Sequence, residues 1–178
     1  MLACAPTALT PLRDGTVALD SDEGILIIDV DANFPIGLLR IGDREIRRLA
    51  MGPNVRAVRV PAGRYRFEFA DSERSLTWTA PFQRYGLDWL DGNQLDVRAG
   101  EINYPGRLIL RVEHGSLWFS ARLVNRSSAI LPVLQARYPE MLRAHPLRYS
   151  GPTPDAFFDV YFDTRRALQP HAPAGDES

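Results

Sequence analysis

Acidic residues and histidines are the side chains in this 178-residue sequence that could bind a metal ion or transfer protons. The histidines stand far apart, at His114, His145 and His171. No two of them have the spacing of metal ligands on one helix. The run 20–24, Asp-Ser-Asp-Glu-Gly, begins like a calcium-binding loop but lacks the later oxygen donors and the distal Glu of such a loop. We therefore expect no metal site and no cofactor.

A pair of carboxylates, Asp29 and Asp31, alternates along a predicted strand and shares one face of it. Such a pair could hold a cation or work as an acid and a base. Carboxylates on the wet face of a sheet are usually only solvated, and we favour that interpretation. The sequence also contains no nucleophile spaced with a base and no glycine-rich phosphate loop, so no catalytic residue is predicted.

Cys4 is the single cysteine, and it follows Leu2 and Ala3. A small residue directly before a cysteine, with an aliphatic residue upstream, is typical of the site at which a bacterial lipoprotein is cleaved and receives acyl chains such as palmitate. We therefore expect lipidation at Cys4, and Ala5 favours the periplasmic face of the outer membrane. The alternative is that Met1 is a true start and that Cys4 is an ordinary thiol of a protein such as a cytoplasmic one.

The composition suits one globular domain that does not bind nucleic acid. The chain has 21 basic and 22 acidic residues, and every basic residue is Arg. With so little net charge, no long-range attraction to nucleic acid is expected. At 45% hydrophobic residues, the chain can bury a core without metals or disulfides. The longest apolar run, 24–30, has only the length of a strand, so any membrane attachment must come through lipid.

Period-two alternation in the first two thirds of the chain predicts strands with one buried face. Such segments are Gly24–Ala32, Val55–Val60, Arg64–Ala70, Ser75–Ala80 and Gln94–Ala99. In Arg64–Ala70 the alternation places all the aromatic rings on one inner face. About eight short strands separated by turns predict a mainly β fold, an antiparallel β-sandwich with short C-terminal helices.

A β-hairpin is predicted where two apolar strands flank His114-Gly115. With a two-residue turn, Leu110 lies opposite Phe119 on one face, and Arg111 lies opposite Trp118 on the other. We expect a cation–π contact between Arg111 and Trp118, worth about 0.5–1 kcal/mol, on the outer side of the sheet.

After Asn125 the pattern changes to that of short helices. Ser127 or Ser128 is expected to cap a first helix that tolerates Pro132 in its early turns. Further helical segments follow, the last over residues 155–168, where a strand through "FFDVYFD" is the alternative.

Three parts of the chain are expected from its composition. Residues 1–23 are rich in Pro and Gly without an apolar period, which predicts a lipobox remnant followed by a flexible tether. Residues 24–168 form the β-sandwich domain with its helices. Residues 169–178 are polar and Pro-rich, which predicts a disordered tail.

Two stretches of strand, turn and strand resemble known modules. Residues 56–69, "RAVRVPAGRYRFEF", resemble the Pro-x-Gly turn of PEGA-type surface modules. Residues 95–110, "LDVRAGEINYPGRLIL", are similar to the matching stretch of small bacterial envelope lipoproteins of unknown function. The resemblance implies a β-sandwich held at the cell envelope, and it brings no catalytic residues.

The connection "PFQRYGLDWLDGN" is long and rich in aromatic residues. We therefore expect Tyr85 and Trp89, with Arg84 and Asp88 for polar specificity, to bind an envelope protein or a glycan. The alternative is that the rings fold back over the end of the sandwich as a plug.

The expected function is that of a lipid-anchored, non-catalytic binding or structural component of the bacterial envelope. The alternative is a soluble periplasmic or cytoplasmic enzyme with an unrecognised hydrolytic activity. An enzyme should have two or more groups with shifted pKa values in one pocket. A binding module should instead present an exposed apolar patch.

Overall fold

The computed structural model describes residues 6–15, 17–73, 83–113 and 118–168. Cys4, the predicted strand Ser75–Ala80 and the predicted tail lie outside them. The strands are β1 Thr7–Ala8, β2 Glu23–Ala32, β3 Ile36–Ile41, β4 Arg44–Leu49, β5 Gly52–Pro61, β6 Gly63–Tyr65, β7 Phe67–Ser72, β8 Arg84–Gly86, β9 Leu95–Val97, β10 Ile102–Tyr104, β11 Arg107–Val112, β12 Phe119–Val124 and β13 Leu147–Tyr149. The helices are α1 Ser127–Arg137, α2 Pro139–Ala144 and α3 Phe157–Leu168. The chain is mainly β, as predicted.

Two sheets face each other, and the helices cover the outer side of the second sheet. The first sheet has the order β1-β4-β3-β7-β8, and the second has the order β12-β11-β2-β10-β13, with β5 also pairing with β2. Leu39, Ile46 and Phe67 of the first sheet share one core cluster with Leu26 and Ile28 of the second. A separate cluster joins the other side of the second sheet to the helices. The fold is therefore sandwich-like, with a third, helical layer.

The second sheet is mixed, which departs from the predicted antiparallel sandwich. β5 runs antiparallel to β2 along its whole length. On the other edge of β2, both β10 and β11 run parallel to it. Alternation along a strand indicates which side chains share a face but not the direction of its neighbours. The parallel pairs were therefore not predictable from the sequence pattern.

β2 is buried on both faces, because the helices cover the side on which Asp29 lies. Leu26 and Ile28 face the first sheet, and Ile25 and Ile27 pack in the cluster with the helices. The Asp29 residue is only 1% exposed. The prediction that this carboxylate lies on a wet sheet face is therefore wrong.

β11 and β12 form the predicted hairpin, but the predicted register is wrong by two residues. Arg111 lies opposite Ser120 rather than Trp118. Its guanidinium instead binds Asp31, with 2.9 Å between Nη2 and Oδ2. A two-residue slip keeps every side chain on its own face, so apolar alternation fits both registers equally well. The predicted His114-Gly115 turn lies outside the described residues.

Side-chain oxygens of Asn125 and Asp155 accept hydrogen bonds at the starts of α1 and α3. Oδ1 of Asn125 accepts hydrogen bonds from the N–H and the hydroxyl of Ser127, at 2.9 and 2.8 Å. The prediction that Ser127 or Ser128 caps α1 is therefore wrong, since both serines lie inside the helix. At the start of α3, Oδ1 of Asp155 accepts from the N–H of Phe157 at 2.9 Å. This last segment is a helix, and the alternative of a strand is excluded.

The described part of the N-terminal segment is folded onto the domain, where a flexible tether was expected. Thr7–Ala8 pairs in parallel with β4, and Leu9 is buried in the core between the sheets. Oδ1 of Asp14 accepts from the N–H of Glu140 at 3.2 Å, near the start of α2. The apolar residues of this segment have no period, and single contacts of this kind leave no pattern in a sequence.

Candidate binding surface

The predicted aromatic connection contains a strand, β8, at the edge of the first sheet. Tyr85 of β8 pairs with Ala70 of β7, and Arg84 pairs with Asp71. Neighbouring residues of a strand point to opposite faces, so Tyr85 and Arg84 lie on different sides of the sheet. The four predicted site residues therefore do not form one group.

The ring of Tyr85 closes the end of the core between the two sheets. It stacks on Phe119 of β12, with centroids 4.4 Å apart, and it lies tilted against Phe34 at 5.5 Å. Burial raises the pKa of the Tyr85 hydroxyl, which donates to Gln83. Tyr85 therefore lies over the end of the sandwich, as expected in the alternative prediction that the aromatic rings form a plug there.

Trp89 is exposed and is held in one orientation. It lies in a turn closed by a hydrogen bond from the N–H of Leu90 to the carbonyl of Leu87, at 3.0 Å. Its indole Nε1 donates to the carbonyl of Gly86 at 2.8 Å. The ring meets Phe119 edge to face at 6.4 Å, and the residue is 56% exposed. We call Tyr85, Trp89 and Phe119 together the aromatic surface.

Asn93 fixes the turn that carries Trp89, and sequence reasoning missed it. Its Nδ2 donates to the carbonyls of Phe67 and Leu87, at 2.6 and 2.7 Å. Its Oδ1 accepts from the N–H of Phe67 at 2.8 Å. A buried Asn with three bonds to main-chain groups holds the loop to β7. The only signal in the sequence was an Asn after Gly92, which is ordinary for a turn.

Arg84 and Asp88 differ in how far they are available for a ligand. Arg84 binds both carboxylate oxygens of Asp71 at 2.8 Å. Its guanidinium also lies 3.8 Å from the ring centroid of Phe69. Phe69 lies outside the core cluster, contrary to the predicted alternation, because the register of β7 shifts next to it. Asp88 is exposed beside Trp89, and it was predicted to give polar specificity.

Asp29 and Tyr104 are hydrogen-bonded to each other, and both have raised pKa values. Shifted pKa values of neighbouring groups are common in enzyme active sites. Asp29 accepts from the Tyr104 hydroxyl at 3.0 Å and from Nε of Arg107 at 2.9 Å. Burial raises the pKa of Asp29 although Arg107 opposes the rise, and burial also raises the pKa of Tyr104. Asp29 is 1% exposed and Tyr104 is fully buried, so neither is accessible to a substrate. Asp29 and Arg107 form a structural ion pair, and the Tyr104 hydroxyl donates a further hydrogen bond to the carboxylate.

In the part of the chain that the structure describes, no group of three or more His, Cys, Asp or Glu residues could hold a metal ion. No helix there is long and apolar enough to cross a membrane. No protein-family model, curated protein or solved structure matches the chain. The resemblance to PEGA-type modules therefore stays a prediction.

Proposed function

We propose that this protein is a non-catalytic binding or structural component of the bacterial envelope, held to a membrane by lipid on Cys4. In this proposal the aromatic surface contacts an envelope protein or a glycan. The observation that carries it is the exposed Trp89 ring, which its hydrogen bond to Gly86 keeps in place.

A large apolar ring that is both exposed and fixed is suited to binding. Its contact with water costs free energy that a ligand relieves by covering it. Because the Asn93 bonds already hold the turn, little conformational entropy is lost on binding. Trp is also among the residues that contribute most to the affinity of protein interfaces. Asp88, the residue before Trp89 in the chain, is also exposed and offers a carboxylate to a ligand.

The hydrolytic alternative would need titratable groups that a substrate can touch. The shifted pair, Asp29 and Tyr104, is enclosed between the second sheet and the helices. The pair therefore does not support that alternative.

The binding part of the proposal is tested by cross-linking in cells. A photo-reactive amino acid at position 88 should capture one defined partner, protein or glycan. Trp89→Ala should abolish the capture and should lower the melting temperature by no more than about 4 °C. Trp118→Ala is the matched control, since Trp118 is also exposed and is not one of the three residues of the aromatic surface. Equal loss of capture in both variants would contradict the proposed surface.

The anchor is tested separately, on protein expressed from its native gene. Lipidated protein should partition into detergent, and Cys4→Ser should release it, because two or three acyl chains hold far more firmly than one. An intact mass with an unmodified Cys4 would reject the lipid anchor and would leave the aromatic surface untouched.

A further inference from the structure

His145 lies between two main-chain carbonyl groups, and each of its ring nitrogens contacts one of them. Nδ1 lies 3.1 Å from the carbonyl oxygen of Gly100, and Nε2 lies 3.1 Å from the carbonyl oxygen of Val17. Gly100 belongs to the turn before β10, and Val17 precedes β2 by only a few residues. The half-buried ring at the end of α2 therefore joins three parts of the chain that are far apart in the sequence.

The two carbonyl groups can only accept hydrogen bonds, so the ring must supply every donor. A neutral imidazole carries one N–H, at Nδ1 or at Nε2, and its other nitrogen presents a lone pair. The imidazolium carries an N–H on both nitrogens. Whichever neutral tautomer forms, one carbonyl oxygen faces a lone pair. Only the protonated ring therefore donates to Gly100 and to Val17 at the same time.

The segment of residues 17–22, which we call the strap, is held to the domain at a few points. None of its residues belongs to a strand or a helix. Val17 and Leu19 are half-buried against the cluster that joins the second sheet to the helices. Nη1 of Arg59 donates to the carbonyl of Ala18 at 3.4 Å, and the N–H of Ala62 donates to the carbonyl of Asp22 at 2.6 Å. The contact with His145 is thus one of few that hold the start of the strap.

We propose that His145 is a pH-sensitive switch that controls how firmly the strap is attached. With the strap detached, the ring can donate one hydrogen bond to Gly100 whether or not it is protonated. Attachment brings the carbonyl of Val17 to the second nitrogen. The neutral ring gains no bond from this, because its single N–H serves one carbonyl or the other. The imidazolium gains one bond, and a charged donor makes it a strong one.

The charged groups on the elements around His145 do not oppose a cation there. Three neighbouring ion pairs are each neutral: Glu140–Arg143 on α2, Glu101–Arg148 between the turn and β13, and Asp163–Arg166 on α3. The other charged side chains are Asp159 and Arg165 of α3, which line the same groove as His145, and Arg13, Asp14, Asp20 and Asp22 of the N-terminal segment. Acidic groups outnumber basic ones among these. The protonated ring is therefore compatible with its surroundings.

Hydrogen exchange of the full chain, followed by mass spectrometry, tests the switch. The rate for the strap amides is divided by the intrinsic rate at the same pH, and the comparison runs from about pH 5.5 to pH 8, where histidines ordinarily change charge. Protonation strengthens attachment, so protection of the strap should be high at pH 5.5 and should fall about tenfold by pH 8, as the loss of one charged hydrogen bond predicts. His145→Gln keeps a donor that does not titrate. Its strap should be weakly protected at both pH values.

The matched control is His114→Gln with His171→Gln, which removes the other two histidines of the chain. This variant should keep the tenfold fall of the parent. An equal fall in His145→Gln, no fall in the parent, or loss of the fall in the control overturns the proposal. The titration of Asp29 is common to all three proteins and cannot produce a difference between them. The inference goes beyond the proposed function, and failure of the aromatic surface or of the anchor on Cys4 would not affect it.

Discussion

The ring of Tyr85 stacks on the ring of Phe119, with centroids 4.4 Å apart and planes inclined by 19°. Tyr85 lies on β8, the edge strand of the first sheet, and Phe119 lies on β12, the edge strand of the second. The stack therefore links the two edges of the sandwich directly. The exposed Trp89 ring contacts Phe119 of this stack, so the candidate binding surface has a rigid base.

Tyr85→Ala should lower the free energy of unfolding by about 2 kcal/mol, because it removes the stack and half-buried apolar area. For a domain of this size that is a fall in melting temperature of about 4–8 °C. Tyr85→Phe keeps the ring and should change little. Trp89→Ala should stay within about 1 kcal/mol of the parent, since its ring is largely exposed. Thermal unfolding followed by circular dichroism measures all three, and a large loss for Trp89→Ala would make that ring part of the core.

Asn93→Ala should cost about 2–3 kcal/mol, because it leaves the N–H and carbonyl of Phe67 and the carbonyl of Leu87 without their side-chain partner. Asn93→Asp keeps the acceptor but turns the donor into a carboxylate facing two carbonyl oxygens. Its penalty should therefore shrink in acid, where the protonated carboxyl can donate. Urea unfolding at two pH values checks this, and a mild effect for Asn93→Ala would mean that the Trp89 turn does not depend on this residue.

Asp155→Ala should cost about 1 kcal/mol at neutral pH through the lost cap of α3. Burial raises the pKa of Asp155, but hydrogen bonds from Ser127, Asn125 and the Phe157 N–H outweigh it and lower the pKa below 3.8. The carboxylate therefore stabilises the fold above pH 3.8, and the contribution is lost as the pH falls through the lowered value. The gap between parent and variant should close in strong acid. Asp155→Asn is the control, since an Asn cap does not titrate in this range.

The sequence predicted the mainly β class of the fold and the exposure of one ring of the candidate surface, Trp89. Trp89 was predicted because three aromatic residues in a long connection require a reason. β8 was not predicted, since a three-residue edge strand is too short to have a measurable period. The stacking of Tyr85 on Phe119 was also not predictable. Phe119 is 34 positions away, and a sequence pattern does not indicate which edges of two sheets meet.

The burial of Asp29 is a second feature that the sequence pattern could not predict. Its alternation with Ile28 correctly indicated two faces of β2. Whether the second face is wet depends on α1 and α3, which begin about a hundred residues later and whose helical pattern carries no information on where they dock.

The buried pair of Asp29 and Arg107 gives a prediction that depends on pH. Burial raises the pKa of Asp29 above 3.8 in the folded protein, so its ionisation costs stability as the pH rises through the interval between 3.8 and the raised value. Arg107→Met removes the attraction that limits this cost and leaves the buried charge unpaired. It should destabilise the protein by about 3 kcal/mol at neutral pH, and by less as the pH approaches 4, where Asp29 takes up a proton.

The matched control for this pair is the double variant Asp29→Asn with Arg107→Met, which has no buried charge. It should be more stable than Arg107→Met alone at neutral pH, and its stability relative to the parent should vary less with pH. Urea unfolding between pH 4 and pH 7 distinguishes the cases. If the loss in Arg107→Met were the same at every pH, it would have to come from packing of the arginine stem, and the carboxylate of Asp29 would not be the group that needs Arg107.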